Sequence, residues 1–128
     1  MTFAGGRTVT VLLVEDSPDT RELLATLLEL HEFRVITAGS VVQALTAGLG
    51  MDRIDVLVAD LTLPDGDGVQ VARSLRRHHP GLRTLFISGS LPPPLLDGQA
   101  YLRKPAGIAA ILIEIRELLG QSAYGRAS

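Results

Sequence analysis

The chain has 128 residues, of which 46% are hydrophobic and 20% charged, with a formal charge of −2 and no cysteine. A chain of this length suits one domain that buries roughly two-thirds of its unfolded surface, so folding requires neither disulfides nor a structural metal. The composition excludes a disulfide framework and thiolate zinc sites and fits a reducing, cytoplasmic setting. It supplies no basic excess for nucleic acid or a charged membrane surface, and no apolar run approaches the length of a membrane span.

Residues 1–8 include Gly5, Gly6 and Arg7, lack the apolar centre of a signal peptide, and read as a flexible N-terminal segment. The domain proper is expected over 9–120, with 121–128 as a C-terminal tail. Val9 to Val14 is a short apolar run rich in β-branched residues and reads as a buried strand, bounded by Glu15 and Asp16. Ser17-Pro18 is a helix start, with Ser17 as N-cap and Pro18 at the first helical position. Leu23, Leu24, Leu27 and Leu28 follow at helical spacing, and the helix is predicted to end near Leu30. Phe33 to Ala38 reads as a second strand. Ser40 caps a second helix carrying Val41, Ala44, Leu45 and Leu49, closed by Gly50. Ile54 to Ala59 is a third strand running into Asp60. A loop with Pro64, Gly66 and Gly68 leads to a helix from about Val69 to Arg77. Leu82 to Ile87 is a fourth strand ending at Ser88, and Ala100 to Arg103 a short fifth one ending at Lys104-Pro105. The last helix is expected from Ile108 to Leu119, stopped by Gly120.

Buried strands alternating with helices imply an α/β, doubly wound fold: a five-stranded parallel sheet covered on both faces. Ligands of such sheets bind beyond the carboxyl ends of the strands. Five polar residues are delivered there: Glu15 and Asp16 by the first strand, Asp60 by the third, Ser88 by the fourth and Lys104 by the fifth. Taken singly each has a bland reading, as a helix cap, a turn carboxylate or a solvated lysine. Taken together, in order, at successive strand ends, they point to one crevice. Carboxylates so close repel one another unless a cation intervenes. Mg²⁺ suits the set, being a hard ion held by a few carboxylates, a carbonyl and waters. Asp60 is then a candidate nucleophile for phosphoryl transfer, with Lys104 and Ser88 neutralising and hydrogen-bonding the transferred oxygens.

The segments Leu13-Val14-Glu15-Asp16-Ser17, Asp60 to Gly68, Phe86-Ile87-Ser88-Gly89 and Lys104-Pro105 resemble, in order, the motifs of the receiver domain family of response regulators and hybrid histidine kinases. The resemblance extends from Val9 to Leu119. It implies a flavodoxin-like sheet with strand order 2-1-3-4-5. It implies Glu15 and Asp16 as the metal-binding acids, Asp60 as phosphoacceptor, and the Thr62 backbone carbonyl as a further metal ligand. It also implies Ser88 as the hydroxyl that moves toward the phosphoryl group, Lys104 as the invariant lysine before a cis proline, and Tyr101 as the aromatic switch, the alternative for Tyr101 being an ordinary strand aromatic. The phosphodonor is then a histidine kinase or histidine phosphotransfer protein, and the only catalysis is self-phosphorylation and dephosphorylation.

Two features depart from the family pattern. Only fifteen residues separate Ser88 from Lys104, and they include Pro92-Pro93-Pro94. Consecutive prolines favour an extended chain, so the family's fourth helix is expected to be absent or much shortened. The last helix, in the family's fifth-helix place, has Ile108, Ile111, Leu112, Ile115, Leu118 and Leu119 on one face, but Ala109, Ala110 and Ile113 on other sides. Its surplus apolar surface suggests a homodimer or partner contact at that face. His31, His78 and His79 lie near helix ends and are weak candidates for phosphodonor or ligand roles. Two other functions compete. A phosphatase of the haloacid dehalogenase type needs an acid where Thr62 stands and a nucleophile on the first strand. A constitutive binding module would have no use for the acidic set.

Overall fold

The computed structural model describes residues 1–3 and 5–120; the predicted tail, 121–128, lies outside them. The apolar runs form strands β1 (Thr10–Val14), β2 (Arg34–Ala38), β3 (Val56–Asp60), β6 (Arg83–Ser88) and β7 (Gln99–Arg103), and a small hairpin, β4 (Thr62–Leu63) with β5 (Gly66–Asp67), intervenes. The five longer strands make one parallel sheet in the order β2-β1-β3-β6-β7. This is the flavodoxin-like order expected from the sequence once the hairpin, read there as plain loop, is counted.

Helices α1 (Pro18–Leu30), α2 (Val41–Leu49) and α3 (Gly68–Arg76) supply crossovers between strands, and α4 (Ile108–Gly120) follows the last strand. Their starts are set locally. The Ser17 hydroxyl accepts the Thr20 N–H, that of Ser40 accepts the Gln43 N–H, and the Asp67 carboxylate accepts the Gln70 N–H. Each removes a donor that a helix start would otherwise leave unpaired.

Alternation along the strands divides the core into two layers. Val9, Val11 and Leu13 face Leu28 of α1 and Ile111, Leu112, Ile115 and Leu118 of α4. Leu12 and Val14 face the opposite layer, with Val41 and Ala44 of α2 and Val71 and Leu75 of α3. Full burial of side chains such as Phe86 and Ile115 contributes about 1.5–3 kcal/mol each.

The layers are unequal because no helix forms between β6 and β7: residues 91–96 have no regular structure and 97–98 form a turn. The fourth helix of the family pattern is thus missing, as the prolines imply. Gly98, with φ +79°, closes the segment at a conformation that favours glycine. Residues 1–3 and 5–8 make contacts that their composition does not foretell. Thr2 bridges Thr8, the terminal ammonium donates to the His31 carbonyl, and Arg7 pairs with Asp55 through two hydrogen bonds of 3.1 Å.

Candidate functional site

Parallel strands all end on one side, so β1, β3, β6 and β7 deliver their terminal residues to a common edge. Glu15 and Asp16 follow β1, Asp60 ends β3, Ser88 ends β6, and Lys104 follows β7. One carboxylate oxygen each from Glu15, Asp16 and Asp60 lie within 4.8 Å of one another. Glu15 and Asp60 are buried, whereas Asp16 is exposed. Lys104 Nζ donates to Asp60 Oδ2 at 2.6 Å and to Glu15 Oε1 at 3.1 Å. Burial pushes the Lys104 ammonium down, but the hydrogen bonds and charges of Asp60 and Glu15 outweigh it and hold the group above the ordinary lysine value.

The remaining oxygens of the two buried carboxylates are held by backbone. Glu15 Oε2 accepts the Ser17 N–H at 3.0 Å, and Asp60 Oδ1 accepts the Thr62 N–H at 3.1 Å. Three carboxylates and one ammonium leave a net negative pocket, and Asp16 has no hydrogen-bond partner for its carboxylate among the described residues. A hard divalent cation suits this donor set. A cavity of about 430 Å³ opens beside it between α1 and the start of α4, lined by Leu13, Leu23, Leu24, Ile87 and Ala106 together with Asp60 and Lys104.

Gly68 fixes the back of the site. A Cβ there would lie 2.4 Å from the Asp60 carbonyl oxygen, so only glycine lets α3 begin so close to the end of β3. The hairpin that follows Asp60 is tied to α2 by Asp65, whose carboxylate accepts the N–H groups of Val41 at 2.7 Å and Val42 at 3.0 Å. Those bonds hold the Asp65 carboxyl below the usual carboxylate range.

Ser88 and Tyr101 form a second, adjoining group. Ser88 is buried, and its hydroxyl accepts the Ser90 N–H at 3.1 Å. Tyr101 is half-buried, and its hydroxyl donates to the Ser88 carbonyl at 3.2 Å and to the Ser90 carbonyl. The Ser88 carbonyl also accepts the Lys104 N–H at 2.9 Å, and the Lys104–Pro105 peptide is cis. Thus Glu15, Asp16, Asp60 and Lys104 gather in one cluster, while Ser88 and Tyr101 bond each other and reach the cluster through the Lys104 backbone. The Thr62 backbone bonds Asp60 through its N–H. His79, by contrast, is buried away from the site with Nε2 at 2.8 Å from the Gly48 carbonyl oxygen.

Sequence reading passed over Arg21 and Asp65. Arg21 Nη1 donates to the Glu15 carbonyl at 2.7 Å and to that of Asp16 at 3.4 Å. Its place four residues after the Ser17 cap was a usable signal, because helical side chains lean toward the N-terminus. Asp65 sits in a Pro-Asp-Gly turn whose sequence gives no hint that α2 is its partner.

Comparison with known proteins agrees with this geometry. The family model described as response regulator receiver domain matches residues 11–116. The chain is 33% identical over 125 residues to the probable transcriptional regulatory protein TcrX of Mycobacterium tuberculosis, covering 93% of this chain and 53% of that protein. It is 32% identical over 120 residues to the sensor kinase CckA of Brucella abortus, covering 86% of this chain and 12% of that protein. The chain therefore spans about half or less of these curated relatives. The crystal structure of a response regulator receiver protein from Sinorhizobium medicae superposes with a TM-score of 0.81 at 27% identity, covering 88% of this chain and 95% of that one. With the sheet order, the strand-end acids and the lysine all in place, the chain belongs to the response regulator receiver domain family.

Proposed function

We propose that the chain is the phosphoacceptor of a two-component phosphorelay, taking a phosphoryl group from a phosphohistidine onto Asp60. The observation that carries this reading is Lys104 Nζ at 2.6 Å from Asp60 Oδ2, inside the cluster that Glu15 and Asp16 complete. An Asp60 oxygen attacks phosphorus and forms the new O–P bond. The N–P bond of the donor breaks, and its electron pair leaves with the imidazole. Attack by water on the same phosphorus later returns the carboxylate and inorganic phosphate. The Thr62 N–H orients the attacking carboxylate, and Lys104 neutralises charge on the transferred oxygens. Ser88 accepts its bond from Ser90 with a lone pair, so its proton is available to a phosphoryl oxygen. Glu15, Asp16, Asp60 and the Thr62 carbonyl would hold Mg²⁺, which when bound shields the phosphoryl charge from the carboxylates.

Readout would follow from Ser88. Moving its hydroxyl toward Asp60 breaks the Ser90 N–H contact, and Ser90 also carries a carbonyl that Tyr101 holds, so the start of the 89–98 segment would be loosened. A two-state repacking biased by local charge is the usual form of such switches. The protein partner, or a second copy, would read that change at the side bounded by α4, where Ile113 is 54% exposed. The haloacid dehalogenase reading fares poorly, because Asp60 lies on the third strand and Thr62 supplies no acid. Adding Mg²⁺ and beryllofluoride should shift the NMR resonances of Thr62, Ser88, Ser90 and Tyr101, and Asp60→Asn should abolish the shifts. Wild-type protein whose spectrum does not respond would contradict the proposal.

A further inference from the structure

The turn between β1 and α1 presents two of the three acids, and its backbone is held at several points. The Glu15 N–H donates to the Ala38 carbonyl at 3.0 Å. Its own carbonyl, and that of Asp16, accept from Arg21 Nη1 at 2.7 Å and 3.4 Å. Space for the guanidinium is provided across the turn, since a Cβ on Gly39 would lie 2.8 Å from Arg21 Nη1. The need for such a hold is unequal between the two acids. The Glu15 carboxylate is buried and bonded to Lys104 and Ser17. The exposed Asp16 carboxylate has no hydrogen-bond partner among the described residues, so its placement depends on the backbone that carries it.

We propose that Arg21 is a positioning residue for the divalent-cation site, locking the Glu15-Asp16 backbone so that both carboxylates meet the ion already in place. The proposal rests on the phosphoacceptor reading above and adds a residue to it. Without the lock the turn must be ordered when the ion binds, which lowers affinity. Supporting partners of metal ligands act in this way, and their loss typically costs about ten-fold or more in affinity. Both bonds leave the one nitrogen Nη1, whose hydrogens are held in the guanidinium plane, whereas an ammonium on a shorter, flexible stem must order itself to reach the same carbonyls. The opposing possibility is also physical: if Arg21 acted only as a nearby positive charge it would repel the ion, and removing it would tighten binding.

Mg²⁺ titrated calorimetrically into the full chain separates these cases. Arg21→Ala should raise the Kd for Mg²⁺ roughly ten-fold, and Arg21→Lys should fall between that variant and wild type. Saturating Mg²⁺ should restore phosphoryl uptake by Arg21→Ala to the wild-type plateau, and thermal midpoints in EDTA show that each variant is folded. An unchanged or tighter Kd in Arg21→Ala, with wild-type binding intact, overturns the inference and leaves the phosphoacceptor reading standing. Should Arg21→Ala fail to fold, wild-type affinity in Arg21→Lys overturns it instead. Wild-type protein that does not bind Mg²⁺ overturns both.

Discussion

At the residue scale, each oxygen of the two buried carboxylates is held by a neighbour, Glu15 by Lys104 and Ser17 and Asp60 by Lys104 and Thr62, while the Asp16 carboxylate has no such partner among the described residues. The five strand-end residues were legible in the sequence because alternation of strands and helices forces them to one edge, and only their mutual distances awaited the structure. Asp65 was not legible, because its effect is made by tertiary reach: it caps α2 from the far side of the hairpin. This arrangement has a pH signature. The carboxyl is held below its ordinary value in the folded chain, so its contribution is fully present above the unfolded Asp value of about 4. It disappears as pH falls through the lower folded value. Asp65→Asn should therefore be less stable than wild type at neutral pH, with the gap closing in acid. Urea unfolding at pH 7 and at pH 3 checks this, and a gap that persists unchanged at pH 3 would show that Asp65 acts through shape and not through charge.

Element by element, the sequence placed all the major strands and helices, with ends that differ by a residue or two, as capping and fraying allow. The hairpin of β4 and β5 escaped because two-residue strands carry no periodicity to detect. The missing helix was legible for the opposite reason: three consecutive prolines forbid one interior of a helix whatever surrounds it. The helix α4 shows the limit of pattern reading. Its one apolar face is buried through Ile111, Leu112, Ile115 and Leu118, while Ile113 stands 54% exposed; helical spacing separates the two kinds of isoleucine but does not say what covers the exposed one. Ile115→Ala should cost about 2–5 kcal/mol by loss of core packing. Ile113→Ala should stay within about 0.5 kcal/mol, as exposed substitutions do. Equilibrium urea unfolding of the two variants distinguishes them. Equal losses would mean that Ile113 is covered in solution, as a second copy packed on α4 would cover it.

For the whole molecule, the parallel sheet concentrates chemistry at one edge and leaves the two faces for packing. The face carrying α1 and α4 is complete, while the face carrying α2 and α3 lacks its third helix over β6 and β7. Among the described residues no helix is long and apolar enough to cross a membrane. At the sheet edge, we propose, Asp60 accepts a phosphoryl group in a site completed by Mg²⁺. The most direct test is the intact mass of the protein after incubation with Mg²⁺ and acetyl phosphate, beside an Asp60→Asn control and a sample with EDTA. Wild type should gain one phosphoryl group (~80 Da, the unit that brings the charge of phosphorylation), absent from both controls. A gain that survives Asp60→Asn, or wild-type protein that gains no mass and binds no Mg²⁺, would contradict it.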